Sequence, residues 1–273
     1  TVLVEADTGC IAGQKEYSYL HGVMPRLPGG EPLGDGWALQ DPADYMQVLE
    51  ETIPDLLRET GVRGEQVAGL GCDVTSCTIL PARSDGTPLC RLERFWEHPH
   101  AYVKLWKHHC AQPQARRIEQ MAKAAEPSLL DRYGGKVSSQ WMLPKVLQIL
   151  EEAPEVYEAC DLLLEAVDWL SFQLTGNLRR NTCCAGFKSF WTHGKGYPAQ
   201  DFLIGLDSRL ENLVSQKLRG VMAAPWEAVG TLTPYWAKRL GLSPRTVVAS
   251  GIIDAHAGVL GCGITEGNRL MLV

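Results

Sequence analysis

The sequence predicts an α/β fold that carries a helical insertion. Three observations predict it. Strand-like and helix-like segments alternate over the first ninety residues, the pattern of an α/β layer. The stretch from about 101 to 176 then reads as mostly helical. The last part returns to strand and helix, closing a strand at Thr246–Ser250 and leaving its end through Gly251-Ile252-Ile253-Asp254.

The elements follow in order. Thr1 to Val4 reads as a strand already under way, and Asp7-Thr8-Gly9 turns the chain. Residues 21–36 hold enough Gly and Pro to form a loop. Asp41-Pro42 has the form of a helix start, an N-cap followed by proline at the first position. Tyr45, Val48, Leu49, Ile53, Leu56 and Leu57 recur at helical spacing until Gly61 stops the helix. Val67 to Cys72 reads as a buried strand, and Ser84 to Thr87 as a hairpin turn between Thr78-Ile79-Leu80 and Leu89-Cys90. Three helices are predicted in the insertion: Gln114–Ala125, Trp141–Leu150 stopped near Pro154, and Val156–Leu174 ended by Gly176. Ala199–Leu213 and Tyr235–Leu240 are helical too, the latter closed by Gly241. Leu270 to Val273 reads as a strand in which the chain stops, so both ends read as cut.

The chain has 273 residues, 45% hydrophobic and 21% charged, with a formal net charge of -6. That is a globular composition able to bury a core without staples. Its acidic balance argues against a nucleic-acid partner held through phosphates. No signal peptide opens it, and no apolar run approaches the ~20 residues of a membrane span. Nine cysteines, an odd number with no Cys-x-x-Cys pair, read as free thiols in a reducing, cytoplasmic setting. No internal repeat or linker divides the chain, so residues 1–273 read as one domain.

Four constellations can carry chemistry. In Ser250 to Gly258 an apolar strand ends, glycine permits close approach, and Asp254 appears before a small-residue helix. Ligands in open α/β sheets bind beyond the carboxyl ends of strands, where Asp254 can take a proton from a hydroxyl attacking phosphorus. It can equally cap the helix that follows. Gly71 to Thr78, with Asp73, Thr75 and Ser76, is a second strand end whose amides and hydroxyls suit a polyol, or simply a solvated turn. Lys188 stands amid Gly186, Phe187 and Trp191; it either hydrogen-bonds a sugar between aromatics or snorkels to the surface. His98, His100, His108 and His109 invite a zinc reading, but their spacing matches no zinc pattern, and a polar pocket wall or surface is favoured. The phosphate-loop, dinucleotide and nucleophile-elbow motifs are all absent.

Several motifs stand in an order that resembles the FGGY carbohydrate kinases, and within them the L-ribulokinases. They are Gly71–Thr78, Leu105–His109, Tyr133–Met142, Glu165–Trp169, Ala185–Lys188 and Gly251–Gly258. Trp106-Lys107-His108-His109 resembles the ribulokinase form of a segment that reads Trp-x-Asp-x-Arg in xylulokinases and glycerol kinases. The resemblance implies the ribonuclease H-like, actin-like ATPase fold, with this chain as the amino-terminal, sugar-binding domain. It implies transfer of the ATP γ-phosphate, with Mg²⁺, to the 5-hydroxyl of L-ribulose in arabinose catabolism. Asp254 matches the catalytic base and Lys188 the substrate lysine. Ser76 matches a small residue that meets the sugar through its backbone, and Asp73 and Thr75 follow from the shape of the loop. The family also has a first strand with an Asp-x-Gly-Thr-x-Ser turn and a carboxy-terminal ATP domain; neither is in this sequence, so the fragment alone is expected to be inactive and weakly stable. Another pentulose kinase of xylulokinase type, or a sugar-binding module without catalysis, are the alternatives, and a homodimer is left open.

Overall fold

The computed structural model describes residues 1–269. The expected strand at Leu270–Val273 lies outside the described residues.

The chain opens with an antiparallel hairpin of β1 (Val2–Val4) and β2 (Ile11–Gln14). A loop leads to β3 (Leu39–Gln40) and helix α1 (Pro42–Thr60). The start of α1 follows its sequence signal: the Asp41 carboxylate accepts from the Ala43 amide at 2.9 Å, and Gly61 closes the helix at φ 70°. Next come β4 (Gly69–Leu70), β5 (Asp73–Val74), β6 (Ile79–Ala82) and β7 (Val103–Lys104). Gly86 turns the chain after β6, but Leu89–Arg91 then coils into a single 3₁₀ turn rather than a return strand.

The stretch expected to be a helical insertion holds α2 (Gln112–Ala125), α3 (Met142–Glu152) and α4 (Pro154–Ala159). Pro154 begins a helix rather than ending one, as proline does at a first helical position. The third expected helix is broken. Leu162–Glu165 is a strand, β8, and only then does α5 (Ala166–Thr175) run to Gly176. With β7 and β8 inside it, the region from 101 to 176 builds the sheet as well as the helices beside it. There follow β9 (Arg179–Asn181), α6 (Thr182–Lys188) and α7 (Gln200–Leu206), shorter than expected, then β10 (Val221–Ala223) and β11 (Ala228–Thr231). Helix α8 (Pro234–Leu240), β12 (Val247–Ala249), β13 (Ile252–Ile253) and α9 (Asp254–Gly261) complete the order.

The main sheet has the order β3-β7-β6-β8, all antiparallel. Its residues alternate between two cores, as the two-residue strand period requires. Ile79 and Leu163 face α2, α3 and α7 in one core, while Leu80, Ala82, Leu162 and Leu164 face α1, α5 and α8 in the other. Each of those leucines is at most 1% exposed, a burial that stabilises by roughly 1.5–3 kcal/mol per side chain.

Shorter strands stand beside it. β4 pairs in parallel with β12, which also pairs with β11, and β5 pairs in parallel with β13. An open cavity of about 1080 Å³ lies between the hairpin β1–β2, α1 and these short strands.

Candidate active site

The site begins with the parallel pair β5–β13. Its register sets Ile252 against Asp73 and Ile253 against Val74. The next residue on one strand is Thr75 and on the other Asp254, so the two sequence-predicted strand ends come to one rim. Asp73, Thr75 and Asp254 all line the cavity, with Thr78, Trp106 and Lys107. Asp254 is exposed and is the first residue of α9; among the described residues its Oδ1 accepts from the adjacent Ala255 amide alone, at 2.7 Å. Ile253 holds the N-cap position, so Asp254 does not make the expected cap, and the residue lines the cavity.

Gly251 makes this approach possible. It has φ 86°, and a Cβ there would stand 2.4 Å from Val167 Cγ2 and 2.6 Å from the Cys72 carbonyl oxygen. Only glycine fits, because both the backbone region and the space exclude a side chain. The Ile252 amide then donates to that same Cys72 carbonyl at 3.1 Å and starts the β13 ladder.

The loop after β5 is held from below. Thr75 and Thr78 share a hydroxyl hydrogen bond of 2.6 Å. Ser76 is buried and does not line the cavity, unlike its neighbours Val74 and Thr75. Cys77 follows at φ 56°, an unfavourable region for a non-glycine residue. The buried Lys145 ammonium clamps it, donating to the carbonyls of Cys77 at 2.5 Å and Leu105 at 2.7 Å. One side chain thus fixes both the Ser76–Cys77 loop and the segment that leads to Trp106.

Lys188 ends α6. It is half-buried, its Nζ lies 4.5 Å over the Phe187 ring, and it makes no hydrogen bond among the described residues. It does not line the cavity itself. Phe187 packs on His256 with ring centres 4.7 Å apart, which brings the lysine alongside the first turn of α9. Burial lowers the His256 pKa; Asp254 opposes that shift and Lys188 adds to it, so both charges reach this imidazole. His256 Nδ1 is 2.9 Å from Cys183 Sγ, an orienting contact.

Residues not singled out in the sequence complete the frame. Glu165, at the end of β8, accepts from Ser189 Oγ at 3.0 Å through Oε1 and leaves Oε2 buried without a partner among the described residues. Burial first, and then Asp168, raise its pKa to about 7. Asn181, the N-cap of α6, joins that helix to Gly251. Its signal was a polar residue just ahead of a short helix; its distant partners left no mark in the sequence.

The histidine group divides between surface and core: His109 is exposed and His98 Nε2 lies 2.9 Å from Glu155 Oε1 at the surface. His100 and His108 are buried and pack edge-on against Trp37, each with ring centres 5.0 Å away. His108 Nε2 meets Gln148 Oε1 at 2.9 Å and its Nδ1 accepts from the Ala38 amide, so it is a core histidine. Among the described residues no three His, Cys, Asp or Glu side chains converge as a metal site. No helix of the described residues is long and apolar enough to cross a membrane.

Residues 30–261 match the model of the FGGY family of carbohydrate kinases, N-terminal domain. The chain belongs to that family. Along its full length it is 45% identical to the ribulokinase of Bacillus licheniformis, of which it covers 50%. The fold matches the xylulose kinase of Rhodospirillum rubrum with a TM-score of 0.67 at 19% identity, over 89% of this chain and 45% of that one. It matches a Plasmodium falciparum glycerol kinase solved with ADP with a TM-score of 0.65 at 14% identity, over 86% of this chain and 49% of that one. The chain spans about half the length of the curated relatives it matches.

Proposed function

We propose that the whole protein is a ribulokinase: it transfers the γ-phosphate of ATP to the 5-hydroxyl of L-ribulose, and this chain supplies the sugar half of the site. The observation that carries the reading is the β5–β13 register, which sets the free Asp254 carboxylate beside Thr75 on an open cavity. The likeness to ribulokinases along the full chain supports it.

The chemistry follows from the residues. Asp254 accepts the proton of the attacking hydroxyl as the oxygen–phosphorus bond forms, which suits an exposed carboxylate with one uncommitted oxygen. Lys188, an ammonium with no internal acceptor, donates to sugar oxygens that come within its reach. Asp73 and Thr75 accept from further hydroxyls, and Ser76 contributes backbone only. Trp106, 45% exposed on the cavity, covers the carbon skeleton. ATP is the phosphoryl donor that membership of the FGGY kinases supports. Mg²⁺ would keep most of its shell as water and phosphate oxygens.

The test is a substrate panel. The whole-length protein with MgATP is assayed on L-ribulose, D-ribulose and D-xylulose. L-Ribulose is expected to give the highest kcat/KM. A preference for D-xylulose would move the protein to another pentulose kinase, and binding of sugar with no phosphorylation would make it a sugar-binding module.

A further inference from the structure

We infer that Asn181 is the positioning residue that ties the substrate lysine to the catalytic aspartate; the inference rests on the functional reading above. Its side chain is bonded at both ends, and each end serves a different catalytic element. Oδ1 accepts from the Cys184 amide at 2.9 Å and so caps α6, whose last residue is Lys188. Nδ2 donates to the Gly251 carbonyl at 2.7 Å, to Ser250 Oγ at 3.0 Å and to the Ser250 carbonyl at 3.1 Å. Gly251 is where the backbone bends toward β13 and Asp254.

Asn181 itself cannot drift. It is 1% exposed, and its amide donates to Asp168 Oδ1 at 2.8 Å. The other Asp168 oxygen lies 3.4 Å from Arg180 Nη1. That guanidinium is anchored in turn on the carbonyls of Leu163, Lys217 and Arg219. The anchor runs from the core sheet through Arg180 and Asp168 to Asn181, and from there to both halves of the site.

Asparagine is the side chain this geometry calls for. Aspartate keeps the acceptor that caps α6 but has no hydrogen for the Gly251 carbonyl. Serine caps as well and is too short to reach β13. The two functions can therefore be separated. In the whole-length protein, Asn181→Ser keeps the cap and loses the tie, whereas Asn181→Ala loses both.

Turnover and L-ribulose affinity are measured for each, with thermal melting alongside and Asp254→Asn as the control. For Asn181→Ser we expect kcat to fall about tenfold or more, because small misplacements of reacting groups are costly. The sugar Kd is expected to stay within about twofold, since the capped α6 still presents Lys188. For Asn181→Ala, kcat falls and the sugar Kd also rises. A kcat for Asn181→Ser within twofold of the parent overturns the inference, as does a Kd shift equal in the two variants, which is the mark of a merely structural residue. If Asn181→Ser does not fold, Asn181→Asp is read for the same split. Activity retained by Asp254→Asn would defeat the functional reading itself. Activity lost there but kept in Asn181→Ser would defeat only the positioning role.

Discussion

The main sheet and the cavity rim are built on different principles. In the sheet β3-β7-β6-β8 both faces are covered, and Leu80, Leu162 and Leu164 have no exposure at all. Apolar burial places most residues there, with Gln40, Lys104 and Glu165 as the buried polar exceptions. At the rim, β5 and β13 are two residues each, and α9 has no buried residue. Its geometry comes from buried polar groups bonded at several points: Lys145 under Cys77, Asn181 against Gly251, and a glycine where no other residue fits. A site meant to face water cannot hide its own apolar surface, so its precision is set by polar pins reaching up from the core.

The comparison can be broken at the pins first. Lys145→Met removes the ammonium that bonds Cys77 and Leu105 and leaves those carbonyls, and Glu165, buried without it. The expected loss is about 3–5 kcal/mol, the usual cost of removing one member of a buried charged network. Leu80→Ala, in the sheet, is expected to cost about 3 kcal/mol through its cavity. Denaturant unfolding checks both. The distinction lies in function: Lys145→Met also weakens sugar binding, because Cys77 and the Trp106 segment lose their clamp, while Leu80→Ala lowers stability and leaves sugar affinity in the surviving folded protein unchanged.

A smaller effect sharpens the same contrast through pH. Lys104 is fully buried with no hydrogen-bond partner among the described residues, and its Nζ lies 4.3 Å over the Trp37 ring. Burial, then repulsion from Lys145, push its pKa down to about 7 from an unfolded value of 10.5. Below pH 7 both states hold the proton and the penalty is complete. As pH rises from 7 toward 10.5 the folded state releases its proton first, the unfolded state binds more, and stability rises. Lys104→Met removes this dependence. Its advantage over the parent in unfolding free energy is expected to shrink by about 2 kcal/mol between pH 7.5 and 9.5. A constant difference would mean that Lys104 is not held as a buried amine.

What the sequence disclosed follows the same division. Helix α1 was legible because Asp41-Pro42, its apolar spacing and Gly61 all agree. β8 was not: Leu162-Leu163-Leu164 is buried on both faces, so it shows no alternation and reads as easily as helix. Asp254 was legible as a carboxylate after a strand and a glycine. Lys145 left a signal in a charge enclosed by Met142-Leu143-Pro144 and Val146-Leu147, a pattern that invites a search for a buried partner. Asn181 left only the sign of a helix cap, since its acceptors at Ser250 and Gly251 lie 69 and 70 residues away. The functional resemblance rested on the ordered motifs, and the family match over residues 30–261 bears it out. Of the four histidines, His98 and His109 stand at the surface as expected, while spacing alone cannot show that His100 and His108 face inward onto Trp37.

The most direct measurement is turnover and L-ribulose binding of Asp254→Asn in the whole-length protein, set beside Lys188→Ala. With Asp254→Asn, kcat is expected to fall by about two orders of magnitude or more, the loss of a general base, while the sugar Kd holds. Lys188→Ala should instead show mainly weaker sugar binding. Unchanged turnover in Asp254→Asn, or lost turnover with intact affinity in Lys188→Ala, would contradict the roles assigned to the two residues.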